Sequence, residues 1–464
     1  MSRAVGSRPV LLLAFAFAVM ADPVSSVAYA VEAALRALGG DLTLLVPTML
    51  LVVAIIAMVI VNYQQLIERY PGGGGASAAV GEAFGDSWSF VPIGALIVDF
   101  VLTIAISVSA GASAIIAYLP GLAPFRLGIA VGLVVVVGGL SWFGHLGRIV
   151  FALMTLSFVV VAAVVLLFGL GATPSENVAL PVADGRPALL AVVLAFPVAM
   201  ALATGVEAPS SAIAQLGGLD DAGRRRFGRI TLWLTLGIVG SITIGLALEA
   251  AHLGIGIPPA ESTQIAELAR VAAPAPVFAA FQLVTALLLL AAASSSFQAG
   301  PGLLKALAVR RGGASRGVGI LPAFFGDTNS RHTPYWGVVF FAVLAMAITA
   351  IAGGTDQVLV LYYAVAVFLS FLAGLLAMTV FARRERRRRR FALNAFGALV
   401  VAFTLAANLT RGTPLVSLAA ALLIGGALFA LWVRAGRPQG VRDVAAESEV
   451  EADSEADSAA DPSA

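Results

Sequence analysis

Cysteine does not occur in the chain, and histidine occurs only three times. The first absence rules out disulfides, thiolate metal centres and cysteine nucleophiles. The histidines, His145, His252 and His332, stand far apart near the ends of apolar runs, so a histidine metal site or catalytic relay is not expected. No nucleophile–base pair can be assembled, and neither enzymatic activity nor a resident cofactor is expected. Charge is the third scarcity. Charged residues make up 12% of the chain and hydrophobic ones 60%, against roughly 25% charged in an ordinary soluble domain. A soluble protein this apolar could not cover its surface with polar groups, so lipid must be the solvent for most of it. The alternating pattern of an outer-membrane barrel is missing too. What remains is a series of apolar runs suited to helical spans of about 20 residues.

The N-terminus imitates a signal peptide, with a basic start, an apolar stretch and the ending AVMA at Ala21. The apolar segment resumes through Val27 to Leu38, however, which favours one interrupted span. Apolar runs bounded by glycine, proline or charge fall at roughly 9–38, 42–67, 88–119, 125–143, 149–171, 188–216, 230–254, 274–298, 335–353, 356–382, 391–409 and 414–433. Twelve spans with both termini inside place every basic residue on the cytoplasmic side except Arg36, Arg126, Arg186, Arg270 and Arg411. That excess is what the positive-inside rule requires, and the reverse topology would invert it. The expectation is a multi-pass protein of a bacterial inner membrane. The run RRERRRRR at 383–390 reads as a stop-transfer flank with some attraction for anionic lipid, not as a nucleic-acid site. A transporter domain over 1–434 is followed by an acidic cytoplasmic tail, 435–464, expected to be disordered.

Two segments break the helical rule. Asp22-Pro23-Val24-Ser25-Ser26 interrupts the first span, and Thr204-Gly205-Val206-Glu207-Ala208-Pro209-Ser210-Ser211 interrupts the sixth. Proline removes a backbone hydrogen bond and clashes with the preceding turn, so both helices should unwind there. Freed backbone groups at that depth persist only where they line a protein cavity or bind a ligand. The two breaks lie five spans apart in opposite orientations, as an inverted five-plus-five repeat predicts, with two extra helices at the C-terminal end.

Three carboxylates, Asp22, Asp99 and Glu207, sit well inside predicted spans. Each costs roughly 2.5–3.5 kcal/mol on insertion scales, on the order of 8–10 kcal/mol together. No arginine or lysine lies within the spans to compensate them. The acids therefore stay protonated or meet a mobile cation; neutral acids hydrogen-bonded to backbone are the bland alternative. Asp99, Thr103 and Ser107 recur every four residues, which puts a carboxylate and two hydroxyls on one helical stripe. Serine and threonine in membrane helices are often packing glue, but in line with Asp99 they read as a polar path. Glu32 and Glu249 lie nearer outer span ends, where snorkelling or water suffices, and are left out of the core site.

The segments DPVSSVAYAVEA (22–33), YPGGGGASAAVGEAFG (70–85), VDFVLTIAISVSAG (98–111), TGVEAPSSA (204–212) and LYYAVAVFLSF (361–371) together resemble the amino acid–polyamine–organocation (APC) superfamily over nearly the whole membrane region. The glycine-rich stretch lacks the lysine and the strand-to-helix setting of a phosphate loop; in that superfamily the segment is a cytoplasmic loop between spans two and three. The resemblance implies a LeuT-like fold, all α-helical, with discontinuous first and sixth helices. Within the superfamily the chain is most similar to KUP/KimA-like potassium–proton symporters, whose pattern implies cation-site roles for Asp22, Tyr29, Asp99, Thr103, Ser107, Thr204, Glu207 and Tyr363. The chain departs at Phe100, where that group has tyrosine, and no segment resembles the group's nucleotide-binding regulatory domain.

Substrate chemistry points the same way. An amino-acid site must hold an α-carboxylate, commonly with glycine-rich unwound backbone and a half-helix N-terminus. Here the first break holds Asp22 and Pro23 and no glycine, so a substrate carboxylate would face a negative charge. A hard monovalent cation wants oxygen ligands, which hydroxyls, carboxylates and freed carbonyls supply. The expected function is proton-coupled potassium uptake by alternating access, with potassium bounded by Asp22, Tyr29, Asp99 and Tyr363 and the proton carried by Glu207 or Asp99. Amino acid or polyamine uptake is the alternative, and a non-transporting receptor or scaffold the second. Expected partners are the small cation, protons and the bilayer, with a homodimer as the candidate assembly and no nucleic acid.

Overall fold

A computed structural model describes residues 8–143, 148–174, 187–216, 218–309 and 318–447. His145, Arg3, Arg186, Arg310, Arg311, Arg316 and the tail beyond Glu447 lie outside the described residues. Within them the regular elements are helices, apart from a single bridge between Ala308 and Leu321. Helices suit a chain solvated by lipid, since each satisfies its own backbone.

Ten helices are long and apolar enough to cross a membrane. The other two spans are the ninth, Tyr335–Ile351, and the first, which is divided into Arg8–Val19, Ala21–Ser25 and Val27–Ala37. The seventh and eighth spans, Asp221–Leu253 and Ala275–Leu307, outrun their apolar stretches at 33 residues each. At 1.5 Å per residue they reach about 50 Å, well past a hydrocarbon core of about 30 Å. The seventh starts early because Asp220 caps it, accepting from the Gly223 amide at 3.0 Å, so the Arg224–Arg226 cluster is already helical before the membrane begins.

Packing follows the five-plus-five offset. The first span lies beside the sixth, the second beside the seventh, the third beside the eighth and the fourth beside the ninth. The eleventh span, Arg388–Leu409, packs on the tenth, Asp356–Arg384, while the twelfth, Pro414–Arg434, packs on the third, Phe90–Tyr118. Two short helices fall between spans. Gly75–Phe84 carries the glycine-rich motif and packs on the tenth span; Gln264–Ala272 lies between the seventh and eighth.

Charge separates as topology requires. Arg69 pairs with Glu385, Arg390 with Glu68 and Arg442 with Asp86 on one face. On the other, Arg126 reaches Ser113 and the Ala260 carbonyl, and Arg270 reaches the Ala117 carbonyl. The beginning of the C-terminal tail is packed: Val441 and Val444 are fully buried beside Trp432.

The third and twelfth spans touch backbone to backbone. A Cβ on Gly94 would lie 2.4 Å from the Ala421 carbonyl oxygen, and one on Gly425 would lie 2.6 Å from that of Phe90. Gly94→Val must therefore push the two helices apart. The expected loss is about 1–3 kcal/mol, read as a lower melting temperature in detergent, while Gly128→Val, with nothing within 4 Å of its added Cβ, should leave it unchanged.

Candidate cation and proton site

The sixth span loses its α-helical hydrogen bonding at the break and keeps only turn bonds such as Val206 N–H to the Ala203 carbonyl at 3.3 Å. A 3-10 turn, Met200–Ala203, ends at Thr204 in extended backbone (φ −55°, ψ 137°), and Gly205 follows at φ +69° before the short helix Ala208–Ala212. The first span is less disrupted than its sequence predicts. It bends at Met20 and Ser26, but the Val24 amide still reaches the Met20 carbonyl at 2.9 Å and the Ala30 amide reaches the Ser26 carbonyl at 2.9 Å. The reason is the position of Pro23, in the first turn of Ala21–Ser25, where the missing N–H costs little.

Glycine at 205 lets the two breaks meet. A Cβ there would fall 2.7 Å from Asp22 Oδ2 and 2.8 Å from Pro23 Cδ, so the Asp22 carboxyl sits directly over the Gly205 backbone. Ser26 fastens the junction, donating its hydroxyl to the Pro23 carbonyl at 2.7 Å and to the Leu202 carbonyl at 3.1 Å. One turn on, the Tyr29 hydroxyl lies against Thr204.

The third and tenth spans close the other side. Thr103 and Tyr363 share a hydroxyl–hydroxyl hydrogen bond of 2.9 Å, and the Asp99 carboxyl lies against the Tyr363 hydroxyl. Asp99, Asp22 and Glu207 are near enough for their charges to repel one another. Each has a fully buried oxygen with no hydrogen-bond partner, Oδ1 of Asp22 and Asp99 and Oε2 of Glu207. Among the described residues none of the three forms an ion pair, and no group of three His, Cys, Asp or Glu side chains is tight enough to hold a metal ion. Seven of the eight residues singled out from the sequence, Asp22, Tyr29, Asp99, Thr103, Thr204, Glu207 and Tyr363, thus gather at the two breaks. Ser107 is buried one turn above Thr103, its hydroxyl unpartnered.

Other polar residues join the site that the sequence did not single out. Tyr63 of the second span is fully buried near Glu207 and edge-on to Phe371 at 5.7 Å. Nothing in the run VNYQQ distinguishes it. Above Tyr29, Gln357 donates to the Tyr29 carbonyl at 3.3 Å and to Asp356 Oδ2 at 3.0 Å, while Asp356 Oδ1 accepts from Ser113 at 2.8 Å. These contacts tie the first, third and tenth spans together between the acids and the face bearing Arg126. Glu32 does not snorkel. It is buried, pairs with Arg36 at 2.8 Å and accepts from the Gln264 amide at 2.9 Å. Glu249 is also buried, with neither carboxyl oxygen partnered.

A family model described as amino acid permease matches residues 11–441. The potassium transporter KimA of Bacillus subtilis strain 168 is 27% identical over 415 residues, 86% of this chain and 66% of that protein, so the chain spans about two thirds of its relative's length. Among solved structures, a point mutant of the Eremococcus coleocola manganese transporter aligns over 92% of this chain and 95% of its own, at 15% identity and a TM-score of 0.47. The same transporter bound to an aromatic bis-isothiourea compound gives 15% identity, the same coverage and a TM-score of 0.46.

The contact between Asp22 and Gly205 yields a sharp expectation. Gly205→Ala strains a left-handed residue and displaces the carboxyl. Flux in proteoliposomes should fall about tenfold or more, the equivalent of about 1.4 kcal/mol. Gly237→Ala, whose added Cβ meets nothing within 4 Å, should transport normally, and equal rates for the two variants would refute the close contact.

Proposed function

The chain belongs to the amino acid permease family of the APC superfamily, and we propose that it couples potassium uptake to proton uptake. It is a membrane-spanning secondary transporter, not an enzyme. The observation that carries the potassium reading is the set of three intramembrane carboxylates without a fixed counter-charge, gathered among the hydroxyls of Tyr29, Thr103, Thr204 and Tyr363. A bare carboxylate in a low-dielectric setting is costly, and a permeant cation or a proton removes that cost on binding. The similarity to a potassium transporter supports the same choice of cargo.

In this reading Asp22, Tyr29, Asp99 and Tyr363 supply oxygens to potassium. Thr103 holds the Tyr363 hydroxyl in place, and the Thr204–Gly205 break lets Asp22 approach. The proton rides on Glu207 or Asp99, since neutralising one of three mutually repelling acids is what allows the other two to hold a single cation. The Gln357–Asp356–Ser113 contacts close the site on its outer side, and alternating access requires them to part. The arginine-rich face lies toward the cytoplasm of a bacterial inner membrane, which places both termini inside.

Amino acid or polyamine uptake is the second reading, favoured by the family's description. Polyamines suit the acids; an α-carboxylate does not, because at the breaks it would face the Asp22 carboxyl. A receptor or scaffold has no use for buried, unpaired carboxylates.

Expression should rescue a potassium-uptake-deficient strain at low potassium, and Asp99→Asn should abolish the rescue. Purified protein should drive rubidium uptake when the outside is acid relative to the lumen. Saturable amino acid or spermidine uptake without rubidium flux would overturn the potassium reading. Tyr363→Phe removes one ligand and the Thr103 hydrogen bond, so its KM for rubidium should rise about tenfold, in line with roughly 1–1.5 kcal/mol for one hydrogen bond.

A further inference from the structure

Away from the central site, the ends of the second, seventh, tenth and eleventh spans on the arginine-rich face enclose a cavity of about 400 Å³. That volume falls within the roughly 300–1,000 Å³ of small-molecule sites. Four guanidiniums line it, Arg69, Arg225, Arg387 and Arg390, against two carboxylates, Glu68 and Glu385. Both carboxylates are already claimed. Glu68 Oε2 accepts from Arg390 at 3.0 Å, and Glu385 accepts from Arg69 at 2.7 Å through one oxygen and forms an ion pair with Arg387 at 3.1 Å through the other.

The balance of donors is therefore uneven. Arg69 is fully committed: its second terminal nitrogen donates to Glu82 at 2.5 Å, and its plane is held 3.8 Å over the Phe381 ring. Arg387 shares Glu385 with Arg69 through its Nε, and among the described residues its two terminal nitrogens have no partner; Arg225, from the seventh span, lines the same cavity and donates to nothing among the described residues. Two guanidiniums lining one cavity with spare donors match a tetrahedral oxyanion, which arginine binds in a bidentate manner. Met378 and Phe381 add an apolar wall beside them.

We propose that this cavity binds a phosphate-bearing anion, specifically the headgroup of an anionic phospholipid, with Arg225 and Arg387 as the anchoring pair. The shared chemistry with soluble phosphate is the phosphoryl oxyanion. Position favours the lipid, because the cavity lies at span ends, where headgroups sit, and basic pockets between spans on the cytoplasmic side are suited to them. The seven-arginine run, Arg383–Arg390, then has two parts. Arg387 and Arg390 turn into the cavity, and Arg388 and Arg389 remain exposed outside its lining.

The test uses the full chain in a nonionic detergent, titrated with phosphatidylglycerol, phosphatidylcholine or inorganic phosphate. Melting temperature and lipid retained in native mass spectrometry are the readouts. Phosphatidylglycerol should be retained and should raise the melting temperature, whereas phosphatidylcholine should do neither. Arg225→Gln should weaken that retention about tenfold; Arg225 is exposed and holds no partner, so the change breaks no internal pair. The double variant Arg388→Gln, Arg389→Gln removes more charge from the same flank and should retain the lipid normally. Equal loss in the double variant, or equal retention of phosphatidylcholine, would reduce the cavity to a generic basic flank and overturn the proposal. Stabilisation by inorganic phosphate that Arg225→Gln abolishes, without lipid retention, would overturn the lipid assignment in favour of a soluble phosphate ligand. None of these outcomes bears on the transport reading, which uses other residues.

Discussion

Everything central to this protein follows from keeping three carboxylates in lipid without a fixed positive partner. Asp22, Asp99 and Glu207 come from the first, third and sixth spans, and each buries an oxygen that no protein group satisfies. A lysine or arginine in the same place would settle the charge once and permanently. Its absence leaves a deficit that only something mobile can fill, and the surrounding hydroxyls orient the site without neutralising it. Stability and the proposed function are in tension here: the uncompensated polar atoms weaken the core, and the same atoms are the ones that would bind and release a cation on the proposed reading.

The rest of the architecture serves that arrangement. Gly205 exists as glycine because a side chain there would collide with Asp22. Ser26 spends its hydroxyl on carbonyls from both breaks, Pro23 and Leu202, so the junction of the two half-spans is fastened by a residue that leaves the acids free. The close backbone contact of Gly94 with the twelfth span anchors the third span, which carries Asp99 and Thr103. Above the site the contacts through Gln357 and Asp356 are hydrogen bonds of 2.8–3.3 Å that hold three spans together and can be exchanged for water. The basic cavity at the other face works on a separate principle, an excess of fixed positive charge over its carboxylates.

Much of this was legible from residue order. Twelve apolar runs, their flanking arginines and the pairing of two proline-containing breaks five spans apart prescribe the architecture, because in lipid hydrophobic length and charge placement leave few alternatives. The acids stood out for the same reason. Less legible was how the breaks would be built. The first span's proline predicts unwinding, yet Pro23 falls in the first turn of a short helix, where a missing amide matters little. Glu32 looked peripheral by position and is in fact buried against Arg36 and the Gln264 amide. Tyr63 and Gln357 carried no local signal at all.

Sequence by itself determined which residues lie in the membrane, which face carries the arginines and where carboxylates stand without compensation. These are one-dimensional consequences of solvation energy, and each residue's cost can be assessed alone. Only the tertiary structure decided that Tyr363 and Thr103 share a hydrogen bond across 260 positions, that Asp22 rests on Gly205, and that Arg225 and Arg387 line one cavity. Such juxtapositions depend on how ridges and grooves of separate helices pack, and packing is a property of pairs of surfaces that no single stretch of chain encodes.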